Sequence, residues 1–125
     1  MKYTCGIDII EVNRIKDSIE TLGEKFLSKI FTPSEIEYCL SKKQMKYQHF
    51  AARFAAKEAI FKAMSDLLSD KYEITWTDVE ILNDEKGKPY VHYINKNYPI
   101  EQIDISLSHL KEYAIANCVI MFKKK

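Results

Sequence analysis

Phe50-Ala51-Ala52-Arg53-Phe54-Ala55-Ala56-Lys57-Glu58-Ala59-Ile60-Phe61-Lys62-Ala63-Met64 is the stretch on which the reading of this chain turns. It contains no Gly or Pro, and alanine, the best helix former, fills six of its fifteen positions, so it is read as a long helix. At a step of about 100° per residue, Phe50, Phe54, Phe61, Met64 and Leu68 fall within one narrow stripe that faces a core. Ala51, Ala55 and Ala59 form a second face of small side chains, open to close approach by another backbone or a ligand. Glu58 and Lys62 border that face. Lys57 falls on the aromatic stripe, where a lysine is unexpected.

A surface reading makes Glu58 and Lys62 an i, i+4 pair contributing roughly 0.2–0.5 kcal/mol, with Lys57 extending its ammonium to water. Against it, Arg53, Lys57 and Lys62 place three cations beside one carboxylate within ten residues. An anionic ligand held together with a metal accounts for all four.

Arg-Phe-Ala-Ala-Lys-Glu-Ala at 53–59, followed by Lys62-Ala63, resembles the signature of the holo-acyl-carrier-protein synthases, small phosphopantetheinyl transferases that load acyl carrier protein. Fifty residues earlier, Tyr3 to Ile10 reads as a strand with Asp8 set among isoleucines. A carboxylate there is costly unless it is paired, coordinated or caps the next helix. Gly6-Ile7-Asp8 matches the family's other signature, in which the aspartate is a magnesium ligand. Ser106-Leu107-Ser108-His109 resembles a third motif near the phosphates of coenzyme A, and Gly87-Lys88-Pro89 an element that borders the nucleotide.

Length and composition frame the resemblance. The 125 residues are most simply one domain, 1–125, able to bury about two thirds of the unfolded surface. Hydrophobic content of 46% and charged content of 30% describe an ordinary globular protein. The longest apolar run, Cys118 to Phe122, is far too short to span a membrane, and Asp8 and Glu11 come too early for a signal peptide. Cys5, Cys39 and Cys118 are odd in number and form no CxxC, which reads as buried, reduced thiols of a cytoplasmic protein. A net charge of +1 argues against a nucleic-acid binder. From Arg14 to Lys62, ten Lys or Arg stand against six Asp or Glu, a bias compatible with an acidic protein partner.

Along the chain, Ile15, Ile19, Leu22, Phe26 and Ile30 recur at helical spacing, with Gly23 bending or interrupting the helix. By the resemblance this helix docks the acidic carrier protein, and Arg14 stands where a partner-contacting arginine is expected. Thr32-Pro33-Ser34-Glu35 is a helix start with a capping box, which assigns Glu35 a structural role. After the long helix, Ser69 to Tyr72 reads as a loop, glycine-poor compared with the family. Val79 to Val91 reads as a hairpin whose turn ends on Gly87 at positive φ. Ile103, Ile105 and Leu107 alternate with polar residues, and after a tight turn the strand from Tyr113 to Phe122 is apolar on both faces. One helical layer covers one face of a small antiparallel sheet. The other face needs a further surface, most simply another copy of the chain.

The fold expected is therefore α+β, an antiparallel sheet packed on a long central helix, assembling as a homotrimer with sites at subunit interfaces as its relatives do. The resemblance implies magnesium-dependent transfer of 4′-phosphopantetheine from coenzyme A to a serine of apo acyl carrier protein, in fatty acid biosynthesis. Asp8 and Glu58 would hold the magnesium ion, and Lys62 would meet a phosphate oxygen. Arg53, Lys62, Gly87, Pro89, Ser108 and His109 would contact coenzyme A. The acceptor of the serine proton stays open between Glu58 and a metal-bound water. Two other readings share these residues: another magnesium enzyme acting on a nucleotide diphosphate, and a non-catalytic oligomer that binds coenzyme A. Helix geometry adds one expectation. Arg53 and Glu58 point about 140° apart, while Glu58 and Lys62 are only about 40° apart. Arg53 would then serve a neighbouring protomer's site, together with His109.

Overall fold

A computed structural model describes residues 2–70 and 73–124. Strand β1 (Tyr3–Glu11) leads into helices α1 (Val12–Leu22), α2 (Glu24–Ile30), α3 (Pro33–Leu40) and α4 (Lys46–Ala63). Strands β2 (Val79–Asn83), β3 (Pro89–Ile94), β4 (Ile100–His109) and β5 (Tyr113–Phe122) follow. All pairings are antiparallel: β1, β5 and β4 form one sheet in that order, and β2 and β3 form a separate hairpin. The class is α+β. No helix among the described residues is long and apolar enough to cross a membrane.

Local signals build the helices. Gly23 separates α1 from α2. At α3 the expected capping box forms: the Thr32 N–H donates to Glu35 Oε1 at 2.8 Å, and the Glu35 N–H donates to Thr32 Oγ1 at 3.4 Å. The hairpin turn closes on Gly87, at φ 84°. The loop expected from Ser69 to Tyr72 falls partly on Lys71 and Tyr72, which lie outside the described residues.

The alanine face of α4 receives a backbone. Ala51, Ala55 and Ala59 are fully buried where α4 lies across β1 and β5. The aromatic stripe is buried only in part. Phe50 and Met64 are enclosed, Phe54 and Phe61 are half-buried around Trp76, and Leu68 lies beyond the end of the helix.

Two sequence expectations are corrected. Lys57 is not a cation offered to an anionic ligand beside Glu58, nor does it reach water as the surface reading has it: its side chain is fully buried against Glu35, because three acceptors from other segments converge on it. Cys5 is exposed, whereas Cys39 and Cys118 are buried as expected. Cys5 sits on the strand face that α4 does not cover, out of phase with buried Gly6.

Strand β5 carries apolar residues on both faces. Ala114, Ala116, Cys118 and Ile120 are buried under α4, while Ile115 and Val119 lie on the opposite face at 37% and 41% exposure. Their ladder partners Ile9 and Cys5, with Ile7 between them, extend that apolar surface onto β1.

Candidate active site

Asp8, Glu58 and Lys62 come together where β1 crosses α4. Alternation along the strand turns Asp8, like Gly6, toward the helix. Lys62 Nζ donates to Asp8 Oδ1 at 3.1 Å and to the carbonyl of Ile7 at 2.9 Å. Glu58, one turn before Lys62, is half-buried, and burial raises its pKa; the charge of Asp8 adds to the rise and Lys62 opposes it. Two carboxylates that repel each other beside a single ammonium favour a further cation between them.

Two concavities meet at Glu58. One, of ≈ 350 Å³, is bordered by Asp8 and Glu58 with Arg14, Ile15 and Phe54. The other, of ≈ 950 Å³, is bordered by Glu58 and Lys62 with Lys29, Phe61 and Trp76. Arg14 thus shares a surface with the two acids, although it comes from α1.

The remaining predicted contacts gather elsewhere. Arg53 is buried at 1% exposure, its guanidinium 4.3 Å from the centre of the Tyr38 ring. Lys42 Nζ lies 4.7 Å from the same centre. Tyr38 meets His49 at 5.7 Å between ring centres, and His49 meets His109 at 5.4 Å. Arg53 also donates to Asn83 Oδ1, and Asn83 Nδ2 donates to the carbonyl of Gly87 at 2.9 Å. Pro89 is the ladder partner of Asn83. Arg53, Gly87, Pro89 and His109 are therefore linked to one another, and Arg53 makes no contact with Glu58. Ser108 is not part of this group. It is exposed, and alternation places it on the opposite face of β4 from His109.

Burial lowers the pKa of His49 to about 4, and the neighbouring His109, Arg53 and Lys42 add to the fall. Arg53 Nε is buried without a partner among the described residues. Tyr38, His49 and Asn83 were not singled out from the sequence. They belong to three different elements and have no common spacing, so only the fold brings them together.

A family model described as the 4′-phosphopantetheinyl transferase superfamily matches residues 4–118. The chain belongs to that superfamily. It is 47% identical to the holo-[acyl-carrier-protein] synthase of Ruminiclostridium cellulolyticum, covering 96% of this chain and 92% of the relative. To the synthase of Chloroherpeton thalassium it is 45% identical, over 92% of this chain and 94% of that one. Among solved structures it resembles a holo-(acyl-carrier-protein) synthase from Bacillus anthracis in complex with coenzyme A (3′,5′-ADP), at TM-score 0.80 and 34% identity over 97% and 96% of the two chains.

Within this superfamily fold, the donor set at Glu58 fits magnesium. Among the described residues no group of three or more His, Cys, Asp or Glu side chains is placed to hold a metal. Two carboxylates alone suit a hard ion that keeps several waters and takes its other ligands from substrate phosphates.

Proposed function

We propose that this chain is a holo-[acyl-carrier-protein] synthase that moves the 4′-phosphopantetheine group of coenzyme A onto a serine of apo acyl carrier protein, within fatty acid biosynthesis. The observation that carries the reading is Glu58 at the junction of two concavities, one with Lys62 and one with Arg14. A transferase with two large substrates needs such a junction: the donor enters from one side and the acceptor from the other. The sequence relatives and the solved synthase support the same reading.

The serine oxygen forms a bond to the phosphorus that bears pantetheine, the bond to the bridging oxygen breaks, and adenosine 3′,5′-bisphosphate leaves. Such a transfer depends on positioning and charge neutralisation more than on covalent help from the protein. Lys62 stands beside the diphosphate as a point charge. Asp8 and Glu58 would hold magnesium, which when bound withdraws charge from the phosphates. The serine proton passes to Glu58 or to a metal-bound water. Arg14 meets the acidic carrier protein. Because the nucleophile belongs to the partner, the chain needs no nucleophilic triad.

The same proposal includes one transferase domain over 1–125 built around α4 as its long central helix, a cytoplasmic location, and a homotrimer. The apolar face of Ile7, Ile9, Ile115 and Val119 supports the oligomer, since a second copy would cover it. Arg53, Gly87, Pro89 and His109 would contact coenzyme A from the neighbouring protomer, with Ser108 on the sheet face turned toward it.

One assay tests this reading. Apo carrier protein, coenzyme A and magnesium are incubated with the protein, and the carrier is weighed by mass spectrometry. A mass gain of one phosphopantetheine is expected. Hydrolysed coenzyme A with an unchanged carrier points to a different magnesium enzyme, and binding without turnover points to a non-catalytic module.

A further inference from the structure

Among the described residues, Lys57 is the only lysine with a buried side chain, and it plays no part in the chemistry above. Its three donors meet three acceptors from three separate segments. They are the carbonyl of Ile30 at the end of α2 (2.8 Å), Glu35 Oε1 in α3 (2.7 Å) and the carbonyl of Trp76 (3.0 Å). Stability alone does not explain the pair, since apolar residues of similar volume often replace a buried ion pair without loss. An ammonium does what an apolar side chain cannot: it holds two backbone carbonyls at fixed distance from α4.

Those two carbonyls lie behind the wall of the larger cavity, on Trp76 and on the residue that follows Lys29. Lys29, next to Ile30, and Trp76 itself border it, facing Glu58 and Lys62. The Trp76 indole stacks on Phe54 with ring centres 4.7 Å apart, and it meets Phe61 in a T-shaped contact with ring centres 5.2 Å apart. Lys57 precedes Glu58 in the helix, so one residue of α4 spaces the walls and the next presents its carboxylate between them.

We propose that Lys57 is a positioning residue: by gripping the Ile30 and Trp76 carbonyls it sets the width of the cavity that receives coenzyme A. The inference rests on the proposed synthase reading only for the identity of that ligand. The wall itself is testable without any substrate, because Trp76 is the sole tryptophan and its fluorescence reports one place.

The test compares wild type with Lys57→Met, which keeps the stem and removes the ammonium, and with Glu35→Gln/Lys57→Met, which removes both charges of the buried pair. In the folded, ligand-free variants, Trp76 emission should shift to the red and acrylamide quenching should rise. The KM for coenzyme A should increase about tenfold while kcat and the KM for carrier protein change less than about threefold, the pattern of lost ground-state binding. A folded variant with wild-type emission, quenching and KM overturns the proposal and leaves Lys57 a stability residue. If neither variant folds, the wild type decides: coenzyme A should shield Trp76 from acrylamide, and no shielding overturns the proposal. An emission change without transfer activity in the wild type would instead refute the synthase reading and keep the wall.

Discussion

The carbonyl oxygen of Ala59 stands 2.0 Å from the position a Cβ on Gly6 would take. The site is built at this contact, because Gly6 is two residues from Asp8 on the same strand face and Ala59 directly follows Glu58. Gly6→Ala would force β1 away from backbone that cannot rotate aside: Ala63 N also lies 3.0 Å from that Cβ. Destabilisation of about 1–3 kcal/mol or more is expected, measured by urea unfolding. The metal response should weaken with it as Asp8 moves away from Glu58. An alanine variant of wild-type stability would show that the strand and helix are not locked there.

Asp8→Asn and Glu58→Gln keep volume and remove charge. Each should lower kcat about a hundredfold or more at ordinary magnesium, the scale of a lost metal contribution. Stability should move the other way at Glu58. Its folded pKa is raised, so the unfolded chain ionises more readily and the folded protein loses stability as pH rises from the unfolded value through the raised folded one. The metal-free Glu58→Gln protein should therefore melt at or above the wild-type temperature at pH 7. Near wild-type turnover in either variant would remove that residue from the metal site.

His49 supplies a pH dependence of opposite sign. Its folded pKa of about 4 lies below the ordinary 6.5, so between those values the unfolded state binds the extra proton. Its contribution is fully present above about pH 6.5 and is lost as pH falls toward 4. His49→Gln should flatten the fall in melting temperature between pH 7 and pH 4.5, read by calorimetry. An unchanged slope would show that His49 is not held neutral by its surroundings.

Arg53 and Glu58 belong to the same helix but to different clusters. Arg53 is tied through Asn83 to the Gly87 turn and through Tyr38 and His49 to His109. If the two clusters meet across protomers, co-refolding inactive Glu58→Gln with inactive Arg53→Ala should restore part of the activity, with about a quarter of the sites intact in a statistical trimer. Mixed oligomers without recovery would mean that each chain builds its own site.

What the sequence determined by itself was local. The Thr32–Glu35 capping box, the break at Gly23, the turn closing on Gly87 and the 40° offset of Glu58 from Lys62 all follow from neighbours within five residues, where backbone geometry leaves few choices. The pairing of Asp8 with Glu58 was legible only through a resemblance of two motifs, because no spacing rule connects residues fifty apart. Tertiary structure decided the rest. A lysine grouped with Arg53, Lys62 and Glu58 reads as a cation for a bound anion, and Lys57 became a core residue because Ile30, Glu35 and Trp76 converge on its ammonium. Likewise a small-residue face states only that something comes close; the fold made that something the backbone of Gly6, and so set Asp8 against α4.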